Sequence, residues 1–252
     1  MSGESMAEAA RVRAFTDQDP AEWTRWENDG QEVAIGEVVG EADAAGLGAG
    51  FARFGAGVLD EAASPIPYDE VFVITSGALT VRSALGDATA RAGEALFLPR
   101  GTAGEYRAEA DTAYVCVAHP PYARAWRERA AAAERGEDVP VDPRARLRRL
   151  AGADVASWAR AGAAVRAGEL VGAGDGSALG VALLRWDAAG SVPVEGAAVL
   201  AVVRGAVAVR AGSRRVEAGA GGLVHLAEDG VCEARAGTEL VAVGHPHRRW
   251  TG

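Results

Sequence analysis

The sequence predicts an all-β chain of two tandem β domains, each a small barrel or sandwich, with a helical N-terminal arm and a helical connector. Three observations carry this reading. The chain contains an internal repeat. Each copy is a string of short alternating apolar runs broken by Gly-rich turns, roughly 8 to 12 residues apart. Between the copies the texture changes to Ala, Arg and Glu, the composition of a helix.

Taken in order, residues 1–30 form the arm. Asp19-Pro20 reads as an N-cap with Pro at the first helical position, which predicts a short helix carrying Trp23 and Trp26. Residues 31–120 form the first β domain, with strands over Val71-Val73, Leu79-Val81, Ala95-Leu98 and Tyr114-Val117. Residues 121–163 form the connector. The run "YARAWRERAAAAERGED" predicts a helix ending near Gly136, and Asp142-Pro143 predicts a second helix through "RARLRRLA". Trp126 and Trp158 fall on these helices and are expected to pack them onto a barrel or across a dimer interface. Residues 164–252 form the second β domain. The repeat itself pairs Ile35–Phe54 with Ala167–Trp186 and Ala92–Pro120 with Ala218–Pro246, each without gaps.

Composition bounds the function. At 252 residues the chain is long enough for one large domain or two small ones, and 49% apolar with 24% charged residues is globular. A net charge of −9 argues against nucleic acid or an anionic membrane surface as partner and favours a small neutral or cationic ligand. No apolar run approaches the ~20 residues of a membrane helix. "MSGESMAEAA" lacks the basic and apolar segments of a secretory signal, so a cytoplasmic location is expected. Cys116 and Cys232 sit in apolar runs and read as buried thiols of a reducing compartment.

"YDEVFVITSGALTV", followed by "AGEALFLPRGTAGEYRA", resembles the two sequence motifs of the cupins, which are double-stranded β-helix or jelly-roll domains. Glu70 and Gly77 match the end of the first motif; Gly93, Pro99 and Gly101 match the second. The resemblance covers roughly 180 of the 252 residues and implies two tandem cupin domains, a bicupin, of the kind that forms homodimers. The first domain is most similar to the ethanolamine-utilisation EutQ-type cupins. Metal-binding cupins carry His-x-His before the Glu and a third His after the Pro-x-Gly turn. Here "AASPIPYD" precedes Glu70 and Gly104 stands at the third position, so no metal and no cofactor are expected. In the second domain Ala198 matches Glu70, His225 matches Pro99 and Gly230 stands where a His ligand would be, which marks that domain as a degenerate scaffold.

If Glu70 faces the barrel interior, alternation sends Tyr68, Phe72 and Ile74 the same way, and an inward Gly104 brings Tyr106 inward. The expected pocket has Glu70 as a general acid or base, with its pKa raised by burial, and Tyr68 and Tyr106 as donors to a substrate oxygen. Arg53, on the strand before the first motif, would pair with Glu70 or hold an anionic group. Gly104 would leave space where a metal-ligating His otherwise sits. Asp69 and Glu105 alternate outward. His119 and His245 read as matched strand ends, His245-x-His247 as a weak metal pattern, and His225 as a group facing the second barrel.

The function this predicts is metal-independent acid–base chemistry, such as isomerisation, dehydration or cyclisation of a small oxygenated metabolite in bacterial specialised metabolism. Two alternatives stand beside it: an EutQ-like accessory protein with phosphotransfer activity, against which the lack of a phosphate loop counts, and a non-catalytic small-molecule-binding bicupin.

Overall fold

The computed structural model describes residues 12–28, 31–43, 46–61, 64–246 and 250, without the side chains of Trp26 and Asn28. The chain is mostly strand, with one α-helix among the described residues. After β1 (Val12–Phe15) come β2 (Thr24–Asn28), β3 (Gln31–Val39), β4 (Gly48–Phe54), β5 (Gly57–Asp60), β6 (Asp69–Ser76) and β7 (Ala78–Ser83). Then follow β8 (Gly86–Arg91), β9 (Ala95–Leu98), β10 (Gly104–Ala108), β11 (Thr112–His119), α1 (Tyr122–Glu134) and β12 (Arg148–Leu150). The remainder is β13 (Ala159–Gly162), β14 (Val165–Val171), β15 (Gly180–Trp186), β16 (Gly190–Val194) and β17 (Ala198–Arg204), then β18 (Ala206–Ala211), β19 (Arg214–Gly219), β20 (Leu223–Leu226), β21 (Gly230–Ala234) and β22 (Glu239–Gly244).

Two pairs of sheets result. A seven-stranded sheet in the order β12-β9-β6-β11-β4-β3-β2 faces a four-stranded sheet β5-β10-β7-β8. The later strands repeat the plan, as β1-β20-β17-β22-β15-β14-β13 and β16-β21-β18-β19. Each half encloses its own apolar interior, one around Phe54, Phe72 and Ile74, the other around Trp186, Leu184 and Leu200. A third cluster lies between the halves, where Val71, Phe97 and Val115 of one seven-stranded sheet meet Val181, Val199 and Leu223 of the other. This explains why β6 and β17 read as nearly continuous apolar runs: both faces are covered.

Asymmetric use of edge strands completes both large sheets. β12, from the connector, covers the edge of β9, while β1, from the N-terminal arm, covers the equivalent edge of β20 in the other half. The β2–β3 and β12–β9 pairings overturn the two helices predicted at Asp19-Pro20 and Asp142-Pro143. Asp19 turns its carboxylate back onto the Thr16 N–H and hydroxyl, and Pro20 leads into the extended segment before β2. Asp142 accepts from the Arg144 N–H and guanidinium, closing a turn after which Arg148–Leu150 runs extended. An open sheet edge offers partners to the N–H and C=O groups of a short segment that face it, and the packing gained there outweighs local helix propensity. Trp23, Trp26 and Trp158 accordingly lie off helices. The helical arm and the second connector helix are therefore not formed among the described residues.

The first connector helix forms as expected. α1 runs to Glu134, and Gly136, at a φ of +72°, takes the left-handed conformation that ends it.

The register also revises the repeat. β6 pairs Glu70 with Leu98, and β17 pairs Ala198 with Leu226, so Ala198 does stand at the Glu70 position. The same registers make Phe97 the counterpart of His225, and the Pro99 turn is two residues longer than its counterpart. The gap-free pairing of His225 with Pro99 fails because the difference in length falls inside the turn and not before it. Asp69 points away from the first interior, as alternation requires, but it is buried: it accepts from the Arg100 N–H, the Ser177 hydroxyl and the Ala178 N–H, which ties the two halves together.

Candidate functional site

Strand alternation in β6 turns Glu70 and Phe72 to the interior of the first half, with Tyr68 just ahead of the strand on the same side. β10 contributes Tyr106, and β11 contributes Tyr114 and Cys116. α1 lies across the open end and supplies Tyr122 and Trp126. Of these, Glu70, Phe72, the four tyrosines and Trp126 line a cavity of about 700 Å³, and Cys116 does not.

Glu70 is 3% exposed and forms no ion pair among the described residues. Its one hydrogen bond comes from the Tyr122 hydroxyl, 2.6 Å from Oε1. Burial pushes the carboxyl up to about 8, and the Tyr122 hydrogen bond pulls modestly the other way by favouring the carboxylate. Burial likewise raises the phenols of Tyr68, Tyr106 and Tyr114, with the Glu70 charge adding to each, so all three stay protonated donors at neutral pH. Tyr68 meets Tyr122 and Trp126 edge-on, at 5.1 and 6.2 Å between ring centroids. The hydroxyls of Tyr106 and Tyr114 have no hydrogen-bond partner among the described residues, although both residues are more than nine-tenths buried and line the cavity.

Of the sequence-predicted residues, Tyr68, Glu70, Phe72 and Tyr106 converge here. Ile74 is fully buried in the apolar interior beyond the cavity wall. Arg53 does not join them. It lies on the opposite face of β4, half-exposed, with its guanidinium 4.6 Å from the Trp23 ring and Nη2 3.1 Å from Asp17, so it neither pairs with Glu70 nor reaches a ligand there. Gly104 corrects a second expectation. It faces inward at the start of β10, but a Cβ there would come within 1.9 Å of the Arg82 carbonyl oxygen, so the position is filled by backbone and not by open space. Gly104→Ala is therefore expected to cost about 3 kcal/mol through overpacking, read as a lower urea midpoint; an unchanged midpoint would show that β7 gives way freely.

Glu37, Glu61, Tyr114 and Tyr122 also line the cavity and were not singled out from the sequence. Alternation from Val33 through Ile35 would have placed Glu37 inward, and the period of "TAYVCVAH" would have placed Tyr114. Nothing in the sequence reports Tyr122, because a helix docked by tertiary contacts carries it. Partial burial raises the Glu37 carboxyl, and Asp43 adds to this.

The histidines lie elsewhere. His119 and His245 stack at 3.5 Å between centroids where the two halves meet, and His119 Nδ1 lies 2.7 Å from the Gly46 carbonyl oxygen. His225 points out of the second interior toward Arg13 and Asp43, not into the barrel, because Val224 and Leu226 take the inward positions of β20. Burial lowers it to about 4. His247 lies outside the described residues. A cupin metal site needs about three converging N, O or S ligands. Among the described residues no group of three His, Cys, Asp or Glu side chains converges, and the donors around Glu70 are phenols and a thiol pushed up to about 12. These residues do not fit a first-row metal.

No family model matches the chain, and no curated protein matches it in sequence. Solved structures do match in shape. Protein Ylba from E. coli superposes with a TM-score of 0.68 at 10% identity, over 99% of both chains. A variant of the oxalate decarboxylase of Bacillus subtilis gives 0.59 at 12%, over 93% of this chain and 77% of that one. A cupin 2 conserved barrel domain protein from Leptotrichia buccalis gives 0.58 at 10%, over 92% and 96%. At such identities the likeness speaks to architecture, and the architecture of this chain is the cupin fold.

Proposed function

We propose that the protein is a metal-independent bicupin enzyme that performs acid–base chemistry, an isomerisation, dehydration or cyclisation, on a small metabolite bound in the cavity of its first half. One observation carries the reading: Glu70 is buried, free of any cationic partner, and held near 8, in the range where a carboxyl both takes and gives a proton at working pH. In the reaction Glu70 would remove a proton from substrate carbon or return one to a leaving oxygen. The hydroxyls of Tyr106 and Tyr114, unpartnered by protein, would donate to the oxygen on which charge develops. Tyr122 would steady the carboxylate form between the two steps. The second half, with Ala198 at the Glu70 position and an apolar interior, supports the first through the shared apolar layer. The protein would work in the cytoplasm, in keeping with its two buried free thiols, and as a homodimer.

The comparison that tests this treats a bacterial metabolite extract with wild-type protein and with Glu70→Gln, and follows products by mass spectrometry. Wild type is expected to convert a compound to an isomer, or to a product lighter by one water, with EDTA present throughout, while Glu70→Gln leaves the compound untouched. Equal conversion by both proteins removes Glu70 from the chemistry. Conversion that EDTA abolishes and Mn2+ restores overturns the metal-independent mechanism.

A further inference from the structure

The charge around the cavity is one-sided. Glu22, Glu37 and Glu61 line it nearer solvent, Glu70 lines it deep inside, and no Arg or Lys lines it among the described residues. Arg129 is the neighbouring cation, and it is held outside: its guanidinium sits 4.9 Å from the Trp126 ring while Nη1 donates to the Pro65 carbonyl. Tyr68, Tyr122 and Trp126 add aromatic faces and edges, and the unpartnered hydroxyls of Tyr106 and Tyr114 offer lone pairs as well as protons.

These features select by charge. An anionic ligand would enter a field of carboxylates with no basic group to receive it. A neutral ligand could donate hydrogen bonds to the acids but would gain no net charge attraction from them. A cation would gain from both the carboxylates and the electron-rich ring faces, which bind quaternary and protonated amines. We propose that this cavity binds a small organic monocation, an amine or quaternary ammonium compound, with its cationic head between the tyrosine cluster and Glu70. The inference rests on the acid–base reading only in taking this cavity as the ligand site.

A coupling follows from it. Below about pH 8 Glu70 carries a proton, and a bound cation favours its loss. Binding would thus release a proton and turn Glu70 into its basic form only when the ligand is present. The groups around Glu70 that bear on this are Tyr122 from α1, Tyr68, Tyr106, Tyr114 and Cys116, with the acids Glu22, Glu37 and Glu61 further out along the cavity. The phenols and the thiol are raised by burial and do not titrate in the range concerned.

The test uses three compounds of one shape and three charges: choline, 3,3-dimethylbutan-1-ol and 3,3-dimethylbutanoate, titrated into the full chain by calorimetry from pH 6 to 9. Choline is expected to bind about tenfold or more tighter than the alcohol, to gain affinity as pH rises toward 8 and level off above it, and to release a proton below 8; the butanoate is expected not to bind. Equal binding of the alcohol, preferential binding of the butanoate, or no binding of any of the three overturns the inference. An NMR titration of the Glu70 carboxyl in the free protein separates this from the acid–base reading. A carboxyl near 8 with no charge preference leaves the catalytic role standing, whereas a carboxyl near its ordinary 4.5 removes that role whatever the cavity binds.

Discussion

Replacing Glu70 by Gln is expected to remove much of the alkaline loss of stability that the wild-type protein shows between about pH 4.5 and 8. In the folded chain burial holds the Glu70 carboxyl at about 8, against an ordinary value of 4.5. Across that window the folded state keeps a proton that the unfolded chain has released. Stability is therefore greatest below the ordinary value, falls as pH rises, and levels off above the folded value. One pKa unit is worth about 1.4 kcal/mol, so the loss attributable to this residue is on the order of 5 kcal/mol. Gln cannot titrate, and the variant should keep its stability through the range in which the wild type weakens. Urea unfolding of both proteins at a series of pH values reads this directly. Buried His225 and half-buried His119 act in the opposite sense: desolvation lowers His225 to about 4 and His119 below its ordinary 6.5, so each contributes stability that is lost as pH falls. The comparison is therefore made between the two proteins at each pH and not along one curve. Parallel profiles would mean that Glu70 titrates alike in both states and is not the desolvated group described above.

Phe97→Ala is expected to be the most damaging single change in the layer between the halves. Phe97 is fully buried on β9, paired with Val71 on one side and Arg148 on the other, and its ring belongs to the cluster shared by both large sheets. Truncation to Ala at such a site costs about 3 to 5 kcal/mol, the transfer term plus the cavity left behind. Because the layer belongs to both halves, the chain should unfold in one transition at a lower urea midpoint, with tryptophan fluorescence and circular dichroism coincident. A midpoint within experimental error of wild type, or a transition that affects only one half, would show that the halves do not depend on this layer.

Much of the site was legible because period two is a strong signal once one inward residue is known. Glu70 fixed Phe72 and Tyr68, and Tyr106 followed from its own strand. The same rule reaches Glu37 and Tyr114, which needed only to be applied to β3 and β11. Tyr122 was out of reach, since its position depends on where α1 docks. The misread helices share another cause. Asp19-Pro20 and Asp142-Pro143 are sound local start signals, but β12 answers to the edge of β9, far away in sequence, and the segment after Pro20 is drawn into a hairpin with β3, itself held by β4. Arg53 failed for a simpler reason: it sits one residue out of phase with Ala52 and Phe54, which face the interior.

The placement of β1 bears on how this chain is made. Of the described strands β1 comes first in the chain, yet it closes a sheet whose β20 and β22 come roughly two hundred residues later. Until then β1 has no partner, while β12 can seal the first sheet as soon as the connector emerges. The N-terminal half should thus complete its sheet before the C-terminal half, which is finished by capture of a waiting segment. A product begun downstream of Phe15 would carry β20 as a bare edge, with the backbone of Leu223–Leu226 open to strands of other molecules.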